Sequence, residues 1–438
     1  MATIVPFCGV LYDQTEVSDI SRVVAPPYDI IDANQQRALH GRHSHNVIRL
    51  ELGLDLPGDN QTENRYTRAT QYLHSWRRAG VLRQDAVPAI YLYTVEYQTA
   101  VTGTTVSRKL RGFLTTVKLE EFGSGGIFPH EDTRAAAKTD RLRLLENCRA
   151  NFSPIFALFS DPNSAILQLI EKSVDVGRPR MEFRDDDGFH HRLWSITDQA
   201  VLHEVTEAVR TRPLFIADGH HRYETALAYR RMRRQHDLPG PGGKPYDNVL
   251  MLVSGLEDPG LTVLPTHRLL HASLPSVEEI KRRLDNTFLI EDIPSSGRPN
   301  STGRAALLHE LRERGGSEQV FGFATWGASS YLVLTLKPQY RNRPGISARD
   351  RLDVSVLHRY LIEPLCPSLD EQSILYTKDE QDALDQVEHG QAQAALLLNP
   401  TKVSEVQAVA AAGDRMPHKS TYFFPKPLTG LVMNVFAE

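Results

Sequence analysis

The sequence predicts an α+β protein with mixed sheets. Two β-rich runs at residues 89–97 and 109–119 are separated by a polar stretch that contains Gly103, which favours a hairpin. Residues 248–255 form a continuous apolar run bounded by turn residues, as is typical of a strand covered on both faces. Residues 65–78 carry apolar side chains at spacings of three and four, which predicts an amphipathic helix.

Local sequence patterns also predict the remaining loops, strands and helices along the chain. The paired prolines Pro26 and Pro27 restrict the backbone and predict a rigid extended loop. Short β-rich or apolar runs predict further strands at residues 151–160, 193–197, 214–217, 288–293, 320–325 and 330–336. Helical periodicity predicts further helices at residues 135–147, 199–210, 223–234, 277–284 and 403–412.

The length of 438 residues predicts two or three domains. We expect an N-terminal β-rich region at residues 1–200, which contains a Pro-His-Glu motif. A strand-turn-helix segment of the same core follows at residues 201–275, and a C-terminal α/β region occupies residues 276–438.

The composition narrows the function classes. The net charge is −4, with 50 Lys and Arg against 54 Asp and Glu, which argues against non-specific nucleic-acid binding. The 3 cysteines form no CxxC pair, as expected in a reducing compartment. No signal-peptide pattern or membrane-length apolar segment is present. We therefore expect a cytoplasmic protein without a membrane anchor that acts on a small-molecule substrate.

The strongest chemical signal is Asp218-Gly219-His220-His221-Arg222, which follows the apolar residues 214–217 and precedes a helical pattern. Such a strand-to-helix junction directs backbone N–H groups and the positive end of a helix dipole at a ligand, which suits phosphate. Arg222 adds a fork of donors, and Gly219 allows close approach. The alternative is that Asp218 only caps the helix and the histidines pack or face solvent.

The histidines and Asp218 could add proton transfer and metal binding to phosphate binding at this junction. His220 and His221 can carry protons or coordinate a metal, and Asp218 can hold a metal or activate a hydroxyl group. Phosphoryl transfer usually needs a further carboxylate, and Glu131 in Pro129-His130-Glu131 is the candidate. We expect Glu131 to share a pocket with Asp218, His221 and Arg222. The alternative for Glu131 is a charged residue near a helix start.

Two further clusters combine basic and hydroxyl side chains beside a proline. One contains His267 and Arg268, and the other contains Lys419, Ser420 and Thr421. Either cluster can bind anionic oxygens, although surface salt bridges are the alternative for His267 and Lys419.

A metal-dependent site is the main chemical rival. Its candidate ligands are His130, Glu131, Asp218, His220, His221 and His267. No HExxH spacing supports it, and the P-loop, Rossmann and Gly-x-Ser-x-Gly motifs are also missing from the sequence.

The ordered motifs resemble the bacterial and archaeal family called domain of unknown function 1015. They lie at residues 25–29, 46–50, 111–113, 129–131, 151–156, 217–226, 264–268 and 419–426. The Asp-Gly-His-His-Arg segment is also similar to the phosphate-binding motif of the ParB and sulfiredoxin superfamily, which includes free-serine kinases and CTP-hydrolysing switches. This resemblance implies a ParB/sulfiredoxin-like central module flanked by α/β regions.

The resemblance also implies site roles. Gly219, His220, His221 and Arg222 would hold nucleotide phosphates, and Glu131 would be the catalytic glutamate. We expect phosphoryl transfer on a small hydroxylated metabolite, with serine or phosphoserine as the leading candidate and ATP or ADP with Mg²⁺ as cofactor. The full set of expected roles is catalysis by Glu131, Asp218 and His221, nucleotide binding by Gly219, His220, Arg222, His267, Arg268, Lys419, Ser420 and Thr421, and Mg²⁺ binding by Glu131 and Asp218. The alternatives are a metal-dependent phosphatase and a nucleotide-gated regulatory protein.

Overall fold

The computed structural model describes residues 2–101, 104–123, 125–130, 135–237, 243–294, 301–341, 343–367, 369–370 and 373–436. Two compact units make up the chain. Unit 1 contains Met1–Pro129, Thr133–Thr262 and Pro425–Glu438, and unit 2 contains His130–Asp132 and Val263–Phe424. The last segment of the chain therefore belongs to unit 1, together with the residues at the start.

The strands are numbered in chain order. They are β1 (Ile4–Val5), β2 (Val10–Tyr12), β3 (Leu82–Gln84), β4 (Ile90–Val101), β5 (Thr104–Lys118), β6 (Ile127–Phe128), β7 (Ala150–Asn151), β8 (Ile155–Phe159), β9 (Met181–Arg184), β10 (His190–Ile196), β11 (Leu214–Asp218), β12 (Asn248–Gly255), β13 (Thr262–Leu264), β14 (His267–Leu270), β15 (Phe288–Pro294), β16 (Val320–Thr325), β17 (Ser330–Leu336), β18 (Ile374–Thr377), β19 (Ala394–Leu398), β20 (Tyr422–Phe424) and β21 (Asn434–Val435).

The α-helices are numbered in the same way. They are α1 (Ala33–Arg42), α2 (Ile48–Glu51), α3 (Arg65–Arg78), α4 (Ala135–Cys148), α5 (Ala165–Lys172), α6 (Gln199–Arg210), α7 (His220–His236), α8 (Val277–Leu284), α9 (Ser301–Arg314), α10 (Pro338–Arg341), α11 (Asp353–Leu357), α12 (Glu363–Leu365), α13 (Glu380–Glu388) and α14 (Val403–Ala411). None of the helices in the described ranges is long and apolar enough to cross a membrane.

Unit 1 is built on a mixed sheet of nine strands in its described part. The order is β6-β11-β8-β12-β5-β4-β10-β9, with β1 paired to β5. The pairs β11–β6 and β12–β8 are parallel, whereas the pairs β4–β5, β5–β12 and β8–β11 are antiparallel. The predicted α+β class with mixed sheets and the predicted hairpin of β4 and β5 are confirmed. Strand β12 is buried over most of its length, as its apolar run predicts.

The core of unit 1 lies between this sheet and three helices. Buried side chains of α5, α6 and α7 pack on strand residues in one cluster. Among them are Ile166 of α5, Val205 of α6 and Tyr223 of α7, all less than 3% exposed. Helix α7 is thereby fixed against the sheet directly after β11, and this packing sets the position of its first turn.

Unit 2 contains an antiparallel sheet in the order β15-β17-β16-β19-β14-β18. Side chains alternate along its strands, so that each face of the sheet has its own buried cluster. Residues of α8 and α11 cover one face, and residues of α9 and α13 cover the other. The predicted helices and strands at residues 277–284, 320–325 and 330–336 are confirmed.

Helix α7 begins three residues before the predicted start at Tyr223. Gly219, with φ of 93°, is the N-cap residue, and His220 opens the helix. Only glycine adopts this left-handed backbone conformation readily, so the chain can turn sharply out of β11 and start the helix at once. The polar motif therefore lies in the first turn of α7.

One close backbone approach in unit 1 gives a test of this packing. A Cβ atom on Gly260 would lie 2.0 Å from the carbonyl oxygen of Lys109 in β5, whereas nothing lies within 4 Å of the same atom on Gly41 in α1. Gly260→Ala should therefore reduce the free energy of unfolding by about 1–3 kcal/mol. Gly41→Ala should leave it unchanged or raise it by up to about 1 kcal/mol. Urea denaturation measures both, and equal effects would contradict the described approach.

Candidate functional site

The junction between β11 and α7 holds the predicted motif. Strand β11 is buried from Leu214 to Ala217, and its pairing with β8 shifts register between Ile216 and Asp218. Gly219 then reverses the chain, and no side chain caps the helix start. A Cβ atom on Gly219 would lie 2.9 Å from Arg222 Nε, so the arginine side chain folds back over the turn. Asp218 is the last residue of β11, and its described side-chain hydrogen bonds are to Arg222 and Lys426.

Asp218 lies between two cations. Arg222 Nη2 donates to Asp218 Oδ2 at 2.6 Å, and Lys426 Nζ donates to Asp218 Oδ1. The side chains of Asp218, Arg222 and Lys426 are only 11%, 9% and 10% exposed. Arg222 Nη1 also donates to the backbone oxygen of Pro154 at 2.5 Å. We call these three charged residues the Asp218 cluster, and it carries one positive charge in excess.

Lys426 is a member of this cluster that the predicted site did not include. It lies 208 residues after Asp218 in the chain, in the C-terminal segment that returns to unit 1. The only signal in the sequence is its place at the end of the motif at residues 419–426. Sequence spacing alone gives no reason to pair it with Asp218.

The charges of Asp218 and Arg222 are fixed over a wide pH range. Burial alone would raise the pKa of Asp218, but Lys426, Arg222 and His220 together hold that pKa well below its usual range. Burial would lower the pKa of Arg222, yet Asp218 and other acidic neighbours raise it. A carboxylate with so low a pKa is a weak proton acceptor. Its geometry instead suits the orientation of Arg222 and Lys426.

A second buried group lies next to Arg222. Arg141 Nη1 donates to Glu51 Oε1 at 3.1 Å, and Ser153 Oγ donates to the same oxygen at 2.9 Å. The guanidinium of Arg141 also lies 4.1 Å from the ring centroid of Tyr28. The prediction of the site missed Glu51, Arg141 and Tyr28. Tyr28 lies within the sequence motif at residues 25–29, and Glu51 directly follows the one at residues 46–50. Arg141 belongs to the charged cluster that follows Pro129-His130-Glu131 in the sequence.

A cavity of about 40 Å³ is lined by residues of both the Asp218 cluster and the group around Arg141. Glu51, Arg141, Ser153, Arg222 and Thr225 are among its lining residues. Arg222 Nε and Thr225 Oγ1 are buried, and neither has a hydrogen-bond partner within the described ranges. The cavity has room for a water molecule, and polar walls favour one there. Arg222 therefore keeps one donor that its contacts with Asp218 and Pro154 do not use.

The two histidines of the motif differ in exposure. His220 is 6% exposed and lies near enough to Asp218 to lower its pKa. His221 is half-buried in the same helical turn. The catalytic role of His221 and the nucleotide-binding role of His220 stay predictions.

The other predicted binding residues lie in unit 2, where three sequence motifs meet. His130 Nε2 and Thr421 Oγ1 are 3.0 Å apart. Arg268 is fully buried and donates to the backbone oxygen of Lys419 at 3.0 Å. Ser420 Oγ donates to the backbone oxygen of Pro417 at 2.5 Å. The structure thus brings together His130, Arg268, Lys419 and Thr421, which come from three sequence motifs.

His267 is neither exposed nor charged. It is 2% exposed in β14, and its Nδ1 accepts the backbone N–H of Leu398 at 3.3 Å. Burial, with a smaller contribution from Arg268, lowers the pKa of His267 to about 4. The imidazole is therefore neutral at neutral pH, and any positive charge at this position comes from Arg268. A surface salt bridge, the alternative for His267, is excluded.

Glu131 lies outside the described residues, so its predicted place beside Asp218 stays a prediction. No group of three or more His, Cys, Asp or Glu side chains within the described ranges could hold a metal ion.

Both carboxylate oxygens of Asp218 already accept hydrogen bonds from cationic side chains. A Mg²⁺ ion at Asp218 would therefore compete with Lys426 and Arg222.

Comparisons with known proteins identify the family. The model described as "Protein of unknown function (DUF1015)" matches residues 4–355, and the chain belongs to this family. No curated protein matches the chain. Solved structures with a distant likeness include a conserved hypothetical protein from Pyrococcus furiosus, which is 12% identical with a TM-score of 0.33 over 71% of this chain and 92% of that one.

Two further solved structures are similarly distant. A free serine kinase in complex with AMP is 13% identical with a TM-score of 0.35, over 71% of this chain and 88% of that one. SbnI with a C-terminal truncation, from Staphylococcus aureus, is 11% identical with a TM-score of 0.36, over 72% and 85%. Likeness at this level says nothing about the activity of this chain.

The Asp218 cluster predicts a stability effect. Asp218→Asn removes the carboxylate and leaves Arg222 and Lys426 buried together, which should lower the free energy of unfolding by about 3–5 kcal/mol. Glu207→Gln makes the same chemical change in an exposed pair with Arg210 on α6. That control should cost no more than about 1 kcal/mol. Thermal and urea denaturation compare the variants, and a cost as small for Asp218→Asn as for the control would contradict the cluster.

Proposed function

We propose that this member of the DUF1015 family binds nucleotide phosphates at the β11–α7 junction and transfers a phosphoryl group to or from a small hydroxylated metabolite. Serine or phosphoserine is the leading candidate, because the Asp-Gly-His-His-Arg motif resembles that of free-serine kinases. The observation that carries the proposal is the Asp218 cluster, in which two buried cations surround one carboxylate at a helix start.

The charge balance supports a phosphate ligand. Arg222 and Lys426 outweigh Asp218 by one positive charge. The N-terminus of α7, a helix of 17 residues, adds a partial positive charge of roughly half an elementary unit. Because Gly219 carries no side chain, a phosphate oxygen can approach the backbone of the turn closely. A phosphate group bound at the junction would therefore lie near two cationic side chains and the N-terminus of α7.

The cluster also explains how the donors are oriented. Asp218 and Pro154 hold the guanidinium plane of Arg222, and Asp218 holds the ammonium group of Lys426. Donors that are fixed before the ligand arrives lose little conformational freedom on binding. Asp218 is therefore proposed as the residue that positions the two cations, in addition to its predicted catalytic role.

The transfer needs one more residue. When bound, the nucleotide supplies the phosphoryl group. The hydroxyl oxygen of the metabolite would form the new bond to phosphorus while the bond to the leaving phosphate oxygen breaks, and the hydroxyl proton would pass to a carboxylate. Glu131 is the proposed acceptor, because the pKa of Asp218 makes Asp218 a weak base. We assign no step to a metal ion.

Nucleotide binding is tested by calorimetry with ATP and ADP. Arg222→Lys keeps the charge but loses the planar fork, so the affinity should fall by about tenfold to a hundredfold, which corresponds to roughly 1.5–3 kcal/mol. Arg210→Lys, on an exposed helix face, is the matched control and should bind as the wild type does. Reduced stability of Arg222→Lys with unchanged affinity would refute the phosphate role.

The reaction itself is tested with serine and either nucleotide. Formation of phosphoserine, followed by ³¹P NMR, is the expected result, and Glu131→Gln should reduce its rate by about a hundredfold or more while nucleotide affinity stays near the wild-type value. Release of phosphate from phosphoserine without any nucleotide would instead support a phosphatase. Binding of CTP without transfer to serine would support a nucleotide-gated protein.

A further inference from the structure

Unit 2 contains a pocket of about 500 Å³ that is separate from the predicted binding residues of that unit. Segments from four parts of unit 2 form its walls, at residues 315–319, at 341 and 343–345, at 351 and 353, and at 399, 400, 402 and 405. Its volume lies within the range of pockets that bind small molecules, about 300–1,000 Å³. None of its lining residues belongs to the motifs that the predicted function uses.

The walls of this pocket carry positive charge in excess. Arg341, Arg343 and Arg351 line it, and within the described part of the chain none of the three forms an ion pair with a carboxylate. Lys402 is a fourth cation in the walls, which also hold the three acidic side chains Glu318, Asp353 and Glu405. Glu318 pairs with Arg314 at 3.0 Å, and Glu405 accepts the backbone N–H of Lys402 at 2.8 Å.

Arg341 has a free donor at a defined position. Its Nη1 donates to the backbone oxygen of Ser317 at 3.0 Å, which holds the guanidinium in place. Its Nε is buried and has no hydrogen-bond partner among the residues that the structure describes. Arg341 also lines the pocket, so its guanidinium can donate to an anionic ligand there. Arg341 is thus prepared to bind a carboxylate or phosphate oxygen.

Asp353 supplies an acceptor in the same pocket. Gln319 Nε2 donates to Asp353 Oδ1 at 3.2 Å and to the backbone oxygen of Arg351 at 2.7 Å, so the carboxyl group is oriented from one side. The remaining oxygen can contact a hydroxyl or amino group of a ligand. A pocket with an arginine donor and a half-buried carboxyl group can recognise both ends of a polar metabolite.

We propose that this pocket is a second ligand site, which binds a small anionic metabolite with a carboxylate or phosphate group through Arg341 and a hydroxyl or amino group through Asp353. The site lies wholly within unit 2 and does not depend on phosphoryl transfer in unit 1.

The affinity for an anion should depend on pH. Burial, with a smaller contribution from Glu405, raises the pKa of Asp353 to about 7, against the opposing effects of Gln319, Lys402 and Arg341. Below pH 7 the carboxyl group is mostly protonated and neutral, so the pocket is more positive and should bind an anion more tightly. Above pH 7 the charge returns and the affinity should fall. Asp353→Asn should remove this dependence.

The test is calorimetric titration of the full-length protein with inorganic phosphate and with succinate. We expect saturable binding of at least one probe, and a loss of tenfold or more in Arg341→Gln. The probe that binds distinguishes phosphate esters from carboxylates as the ligand class. If Arg341→Gln fails to fold, the exposed Arg351→Gln replaces it.

Arg222→Gln, in unit 1, is the matched control and separates this proposal from the proposed function. Binding that is lost in Arg222→Gln but retained in Arg341→Gln would assign the anion to the β11–α7 junction and overturn the second site. Binding of neither probe to the wild-type protein would also overturn it. Loss in Arg341→Gln alone would support the second site, whatever the outcome of the nucleotide experiments.

Discussion

The buried contact of Asp218 with Arg222 and Lys426 is the interaction on which the candidate site depends. It joins the end of β11, the first turn of α7 and the C-terminal segment of the chain. Arg222 extends the contact to the backbone of Pro154, directly before β8. Three charges are expensive to bury, and they are tolerated only because each is paired or hydrogen-bonded. Such an arrangement fixes the geometry of donors at the cost of stability.

The ion pair between Asp218 and Arg222 gives different roles to residues that lie close together in one sequence motif. Asp218 and Arg222 lie four residues apart and bind each other, so neither is a free group that waits for a ligand. The proposed phosphate site combines the cations Arg222 and Lys426, the partial charge of the helix start and the bare turn at Gly219. The adjacent pair of Glu51 and Arg141 surrounds the same arginine with further buried charge.

The charged and polar side chains of unit 2 have different kinds of partners from those in the Asp218 cluster. In the cluster of His130, Arg268 and Thr421, the described contacts are largely to backbone oxygens and hydroxyl groups, and His267 beside it is neutral. Around Arg341 the arginines have no carboxylate partners in the described part of the chain, and the half-buried Asp353 has a raised pKa. The pKa of a carboxyl group falls when the effect of nearby cations exceeds that of burial, and it rises when the effect of burial is larger.

Local patterns in the sequence determined the α+β class, the helices at residues 65–78 and 199–210, the buried strand at residues 248–255 and the position of the Asp-Gly-His-His-Arg junction. These features depend on periodicity and turn chemistry, which act over a few residues. Only the tertiary structure decided that Lys426 reaches Asp218 across 208 residues and that Arg141 reaches Glu51 across 90. It also decided that His267 is buried and neutral, because burial and pairing are properties of the packed chain and leave no mark on local spacing.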